Sequence, residues 1–105
     1  MSADTPLLQL VLDALEEVQA HTITPLDVRE ITSVADNMVI ASGTSNRHVK
    51  ALADSVADAA KSAGFPPIGT EGENTGEWIL VDLGDVIGHL MPPATREFYD
   101  LERLW

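Results

Sequence analysis

The unbroken apolar run Met38-Val39-Ile40-Ala41 leads through Ser42-Gly43-Thr44 into a long amphipathic segment, and this juncture restricts the possible folds most. A run without polar alternation suits a strand covered on both faces. Ser45 is the expected cap of the helix that follows, in which Val49, Leu52, Ala53, Val56, Ala60 and Ala63 keep helical spacing. Gly64 ends it in a position that wants a left-handed backbone, and Phe65-Pro66-Pro67 prevents continuation. Ile68 to Thr70 then reads as a short strand. A strand, helix, strand crossover from Met38 to Thr70 implies a right-handed parallel pair.

The remaining segments fit around that unit. Residues 6–20 read as an amphipathic helix, with Asp4 or Thr5 as cap, Pro6 at its first position and Leu8, Val11, Leu12, Leu15 and Val18 on one face. Thr24-Pro25 forces extended backbone, and Leu26 to Arg29 alternates like a half-buried strand. After the loop Gly72-Glu73-Asn74-Thr75-Gly76, strands are expected over Glu77–Leu83 and Val86–Met91, joined by a tight turn at Gly84-Asp85. Pro92-Pro93 ends the last strand, and a helical tail runs through Phe98, Tyr99, Leu101 and Leu104 to Trp105. The order α-β-β-α-β-β-β-α describes one α/β domain over residues 1–105, with a mixed sheet.

Composition narrows the function. Seventeen acidic against six basic residues give a net charge of -11, which repels phosphate backbones and argues against direct nucleic-acid binding. It favours a basic partner and speeds encounter with it, although acidity also simply keeps a protein soluble. The absence of cysteine excludes a thiol nucleophile and a zinc-thiolate site. No targeting segment or membrane span is evident, so a cytoplasmic location is expected.

Three groups of residues invite chemistry. Gly43-Thr44-Ser45-Asn46, between a strand and a helix, could hold a phosphate as the Gly-Ser turn of nucleotidyltransferases does. That chemistry also needs two metal-binding carboxylates one residue apart on a strand. The nearest, Asp82 and Asp85, flank a turn instead. Residual nucleotide binding through this turn is the alternative function; a capped helix start explains Ser45 without it. The histidines His21, His48 and His89 show no metal-ligand spacing. His21 is read at a helix end and His48 in a first helical turn. His89 shares a strand face with Ile87 and Met91, as a satisfied core histidine or part of a contact surface. Glu71, Glu73 and Glu77 surround a glycine-rich loop beside Trp78, a pattern that can form an interface, the ring supplying buried area and the charges steering. A solvated loop beside a core tryptophan stays open on these residues alone.

Three stretches resemble a known family. Asp36 through Val49, with Asn37-Met38-Val39-Ile40-Ala41-Ser42-Gly43-Thr44-Ser45, resembles the first signature of the Iojap-like ribosomal silencing factors. Glu71-Gly72-Glu73, Gly76-Glu77-Trp78 and Val81-Asp82-Leu83-Gly84-Asp85 resemble the second; His89-Leu90-Met91, Arg96-Glu97-Phe98-Tyr99 and Leu101-Glu102-Arg103-Leu104-Trp105 resemble the third. Gly88, where a β-branched residue is common, and Pro92-Pro93 depart from the pattern, the former expected to loosen the last strand. The resemblance implies a five-stranded mixed sheet with nucleotidyltransferase-like topology, no catalytic activity and no cofactor. It also implies binding to the large ribosomal subunit through the basic ribosomal protein fourteen, obstruction of subunit joining, and a homodimer when free. In that setting Trp78 is the expected apolar anchor, Glu71, Glu73, Glu77 and Asp82 the charges facing the partner, and Met91 and Tyr99 the apolar surround.

Overall fold

The computed structural model describes residues 6–100 and Arg103. Its elements are α1 (Pro6–Glu17), β1 (His21–Asp27), β2 (Asn37–Ser42), α2 (Asn46–Ser62), β3 (Gly69–Glu71), β4 (Ile79–Asp82), β5 (Val86–Met91) and α3 (Pro93–Tyr99), in the expected order. The expected caps Asp4 and Thr5, and Leu101, Leu104 and Trp105 of the tail, lie outside the described residues.

The strands form one mixed sheet in the order β1-β2-β5-β4-β3. β2 pairs parallel with β5, and the other neighbours pair antiparallel. The parallel pair therefore differs from the one expected. The crossover through α2 lands on β3 at the far edge, with the β4–β5 hairpin inserted between. Burial explains the difference. Every residue of β2 and β5 is buried, so these two apolar runs take the centre, while Gly69-Thr70-Glu71 offers little apolar surface and suits an edge. Gly88, expected to loosen β5, sits mid-sheet, where a Cβ would meet Val81 only at an ordinary 3.9 Å.

Several boundaries also move. Gln19 turns left-handed (φ 61°) and the Ala20 N–H returns to the Leu15 carbonyl, closing α1 early. His21 consequently opens β1 instead of ending a helix, and Arg29 falls beyond that strand. β4 begins at Ile79 because Gly76 is left-handed (φ 71°) and the Glu77 N–H bonds to Thr75 Oγ1, holding the chain in a bend.

α1 and α2 cover one face of the sheet. Val11, Leu15, Leu52 and Val56 from the helices meet Val39, Ile79, Val81 and Leu90 from the strands, all 0–1% exposed. Burying each such side chain contributes about 1.5–3 kcal/mol, which makes this layer the main source of stability. Ser55 Oγ donates to the Ala14 carbonyl and links the two helices. On the opposite face a smaller cluster joins Val28 and Ala35 of the β1–β2 connection to Met38 and Ile87, with Leu26 and Leu80 partly buried against it. α3 lies over this second face, pinned by Arg96, which reaches Ser42 and Thr24.

A candidate partner-binding face

Strand register builds the site. Glu71 pairs with Leu80, Leu80 with His89, His89 with Ile40 and Ile40 with Thr24, so these five side chains form one row across the face opposite α1 and α2. Alternation within β4 puts Asp82 on that face with Leu80, and Trp78, just before the strand, reaches the same face through its indole. The indole Nε1–H of Trp78 donates to His89 Nδ1 at 3.1 Å. Tyr99 of α3 stacks on the same indole at a tilt, centroids 4.7 Å apart, and Phe98 meets Tyr99 edge to face at 5.0 Å. Trp78 is half-buried, whereas Tyr99 and Phe98 are 51% and 80% exposed. The ring is therefore held from two sides while part of it stays open to solvent.

Three expected carboxylates fall on this side of the sheet or next to Trp78 in sequence. Glu71 and Asp82 share its sheet face, and exposed Glu77 immediately precedes Trp78. Glu73 goes elsewhere: it borders a shallow pocket with Lys50, Ala53, Asp54 and Ile79, on the α2 side of the sheet. Met91 is a correction. Its side chain is completely buried beside Ser42, on the part of the sheet where Arg96 seats α3, and presents nothing to a partner.

Other residues of the face had not been singled out as partner contacts. Phe98 adds an exposed ring and Leu80 a partly buried floor, and the period-two alternation from Trp78 was the signal that could have marked Leu80. Arg96 stood in a signature stretch, but its bonds to Thr22, Thr24 and Ser42 join residues remote in sequence and could not be read from the pattern. His89 resolves as a buried histidine whose Nδ1 accepts from the Trp78 indole. Burial pushes its imidazole below the ordinary histidine value, and the indole bond requires an unprotonated Nδ1, because the indole N–H can only donate.

The Gly43–Asn46 turn is built differently from a phosphate cradle. The Gly43 N–H bonds to the Met91 carbonyl at 3.2 Å, and the Thr44 N–H to His48 Nδ1 at 2.8 Å. Ser45 caps α2 by accepting from the His48 N–H, as expected. His48 Nε2 lies 2.7 Å from the Val18 carbonyl, so the imidazole straps the turn to the end of α1. Gly76 closes over the helix start, its position allowing no Cβ beside the Asn46 carbonyl, 2.9 Å away. Asp82 Oδ1 accepts from the Gly84 N–H, so this carboxylate braces the β4–β5 turn. Among the described residues, no group of three or more His, Asp or Glu could hold a metal ion.

Fold and face together define a class: a small acidic α/β domain with an aromatic patch on a sheet face that also carries carboxylates. The comparisons with known proteins place it more narrowly. The family model described as "Ribosomal silencing factor during starvation" matches residues 2–105. A ribosomal silencing factor of Chromobacterium violaceum is 48% identical over 97 residues, covering 92% of this chain and 80% of its own length. One from Haemophilus influenzae is 44% identical over 99 residues, covering 94% of this chain and 97% of its own. A crystal structure of a Chromobacterium violaceum protein superposes with a TM-score of 0.93 at 47% identity, covering 94% of this chain and 82% of that one. The chain belongs to the ribosomal silencing factor family, a class of ribosome-associated regulators of translation.

Proposed function

We propose that this protein represses translation by docking on the large ribosomal subunit, through basic ribosomal protein fourteen, and filling space that the small subunit must enter. The action is steric and stoichiometric and requires no catalysis. One observation carries the reading. Trp78, clamped between His89 and Tyr99, stays partly open on a sheet face that also carries Glu71 and Asp82. A preordered aromatic anchor loses little conformational freedom on binding, and surrounding carboxylates select a cationic partner. The net charge of -11 steers the same encounter. Tyr99 and Phe98 extend the apolar contact, and Glu77 adds to the acidic rim. The free protein is read as a cytoplasmic homodimer, which sedimentation at several concentrations tests.

The direct test mixes the protein with purified large subunits and follows small-subunit association by light scattering. Folded protein in stoichiometric excess should suppress association; unaltered association would overturn the proposal. Trp78→Ala should weaken suppression by about 30-fold or more, the loss of an anchor worth at least about 2 kcal/mol, while the chain stays folded. Global unfolding of that variant would instead assign Trp78 to the core.

A further inference from the structure

We propose that His89 is a positioning residue of the partner face: its unprotonated Nδ1 holds the Trp78 indole in the orientation it presents, and proton uptake by the imidazole releases it. The proposal rests on the reading of the Trp78 face as the ribosome-facing surface and assigns that face a pH-dependent hold.

The geometry is a chain of three rings. His89 sits in the middle of central strand β5, 8% exposed, and cannot shift without disturbing pairing on both sides. The indole leans on it with ring centroids 6.0 Å apart and donates Nε1–H to it, while Tyr99 closes the other side. A tryptophan N–H has no acceptor capacity, so a protonated Nδ1 would place two donors against each other. The indole must then lose its bond and rotate or separate. Tyr99 stacks on Trp78 and follows it, so one proton alters the whole aromatic patch.

The charged surroundings leave this control with the imidazole itself. Among the described residues, the titratable or charged groups on elements around it are Glu71 of β3, Asp82 of β4, Glu77 before Trp78, and Arg96, Glu97, Tyr99 and Asp100 of α3 and its end. Arg96 is directed to Thr22, Thr24 and Ser42, and Asp82 to the Gly84 N–H. Burial is the cause that depresses proton binding at His89. The neutral ring is thus the resting form, and acid is needed to break the hold.

The test uses the full chain carrying Trp105→Phe, so that one indole N–H signal reports Trp78. That signal and the His89 ring signals are followed by NMR from pH 8 to 5, and retention on immobilised large subunits is measured over the same range at constant ionic strength. The expected result is one shared midpoint for all three, with retention weakening about fivefold, the value of one hydrogen bond. His89→Asn, whose amide oxygen can accept from the indole without titrating, should keep retention at pH 7.5 within about threefold and flatten its pH profile. His89→Phe should weaken retention at every pH with a flat profile. An indole signal indifferent to His89 protonation, or an unchanged pH profile in folded His89→Asn, overturns the proposal. Absence of retention at any pH would refute the ribosomal reading instead, and the indole titration, which needs no ribosome and no His89 variant, would still decide the coupling.

Discussion

Arg96 in α3 donates from Nη1 to the carbonyl of Thr22 at 2.6 Å, joining residues 74 positions apart. Thr22 holds a left-handed backbone (φ 48°), rare for a β-branched residue, at the irregularity in β1 where pairing shifts between His21 and Thr24. The same guanidinium reaches Thr24 Oγ1 at 2.8 Å and Ser42 Oγ at 3.2 Å. One buried cation thus fixes the strained strand and seats the helix that carries Tyr99. Arg96→Met keeps the aliphatic stem and removes these bonds. It should cost about 3 kcal/mol and lower Tm by at least about 10 °C, measured by urea and thermal denaturation. A loss below about 1 kcal/mol would show that α3 is seated by other contacts.

Gly72 is required by the loop that delivers Trp78. Its φ of 87° is left-handed, and a Cβ there would lie 1.9 Å from the Trp78 carbonyl oxygen. Gly72→Ala must therefore displace the start of β4. A destabilisation of about 2 kcal/mol or more is expected from combined strain and clash, together with a changed Trp78 indole N–H shift. Wild-type stability and an unmoved indole signal would contradict this.

Glu71 and Glu73 are neighbours in sequence but lie on different sides of the sheet: Glu71 stands opposite Leu80, and Glu73 borders the Lys50 pocket. Glu71→Lys should weaken large-subunit binding about tenfold or more and reduce its salt sensitivity, because it sets like charges together. Glu73→Lys should change binding by less than about threefold, as a charge away from the contact. Retention assays across a salt series distinguish them, and equal effects would reject this division of the loop.

Burial of His89 makes stability depend on pH in a defined direction. The native imidazole binds protons less readily than the unfolded one, whose ordinary value is 6.5. The stabilisation from the neutral ring is therefore fully present above that value and lost as pH falls from it through the lower native one. General acidification also relieves the self-repulsion of a chain with net charge -11, which acts in the opposite sense. The informative quantity is wild-type stability minus that of His89→Asn. This difference should shrink between pH 7.5 and 5.5 in urea melts; a constant difference would show no linkage at His89.

Much of the architecture was legible because its signals are local. The Ser45 cap, the left-handed Gly64 and the Gly84 turn each depend on a few adjacent residues, and all three stand where the pattern put them. The strand at His21 was misplaced because a left-handed Gln19, a conformation unusual for that residue, shortens α1. The site was only partly legible. Trp78 and Tyr99 could be marked as candidates, but their mutual stacking depends on where α3 settles. Met91 shares the strand face of His89, yet the seating of α3 over that end of the sheet buries it completely.

The linear chain determined the helices, the turns, the acidic charge and the strand runs, since periodicity and capping act over a few residues. Folding decided which strands became neighbours, which side of the sheet received each carboxylate, and that His89 and Arg96 would hold the aromatic patch in place. Those outcomes arise from contacts between residues distant in sequence, where the competition to bury apolar surface and satisfy buried polar groups is settled by the molecule as a whole.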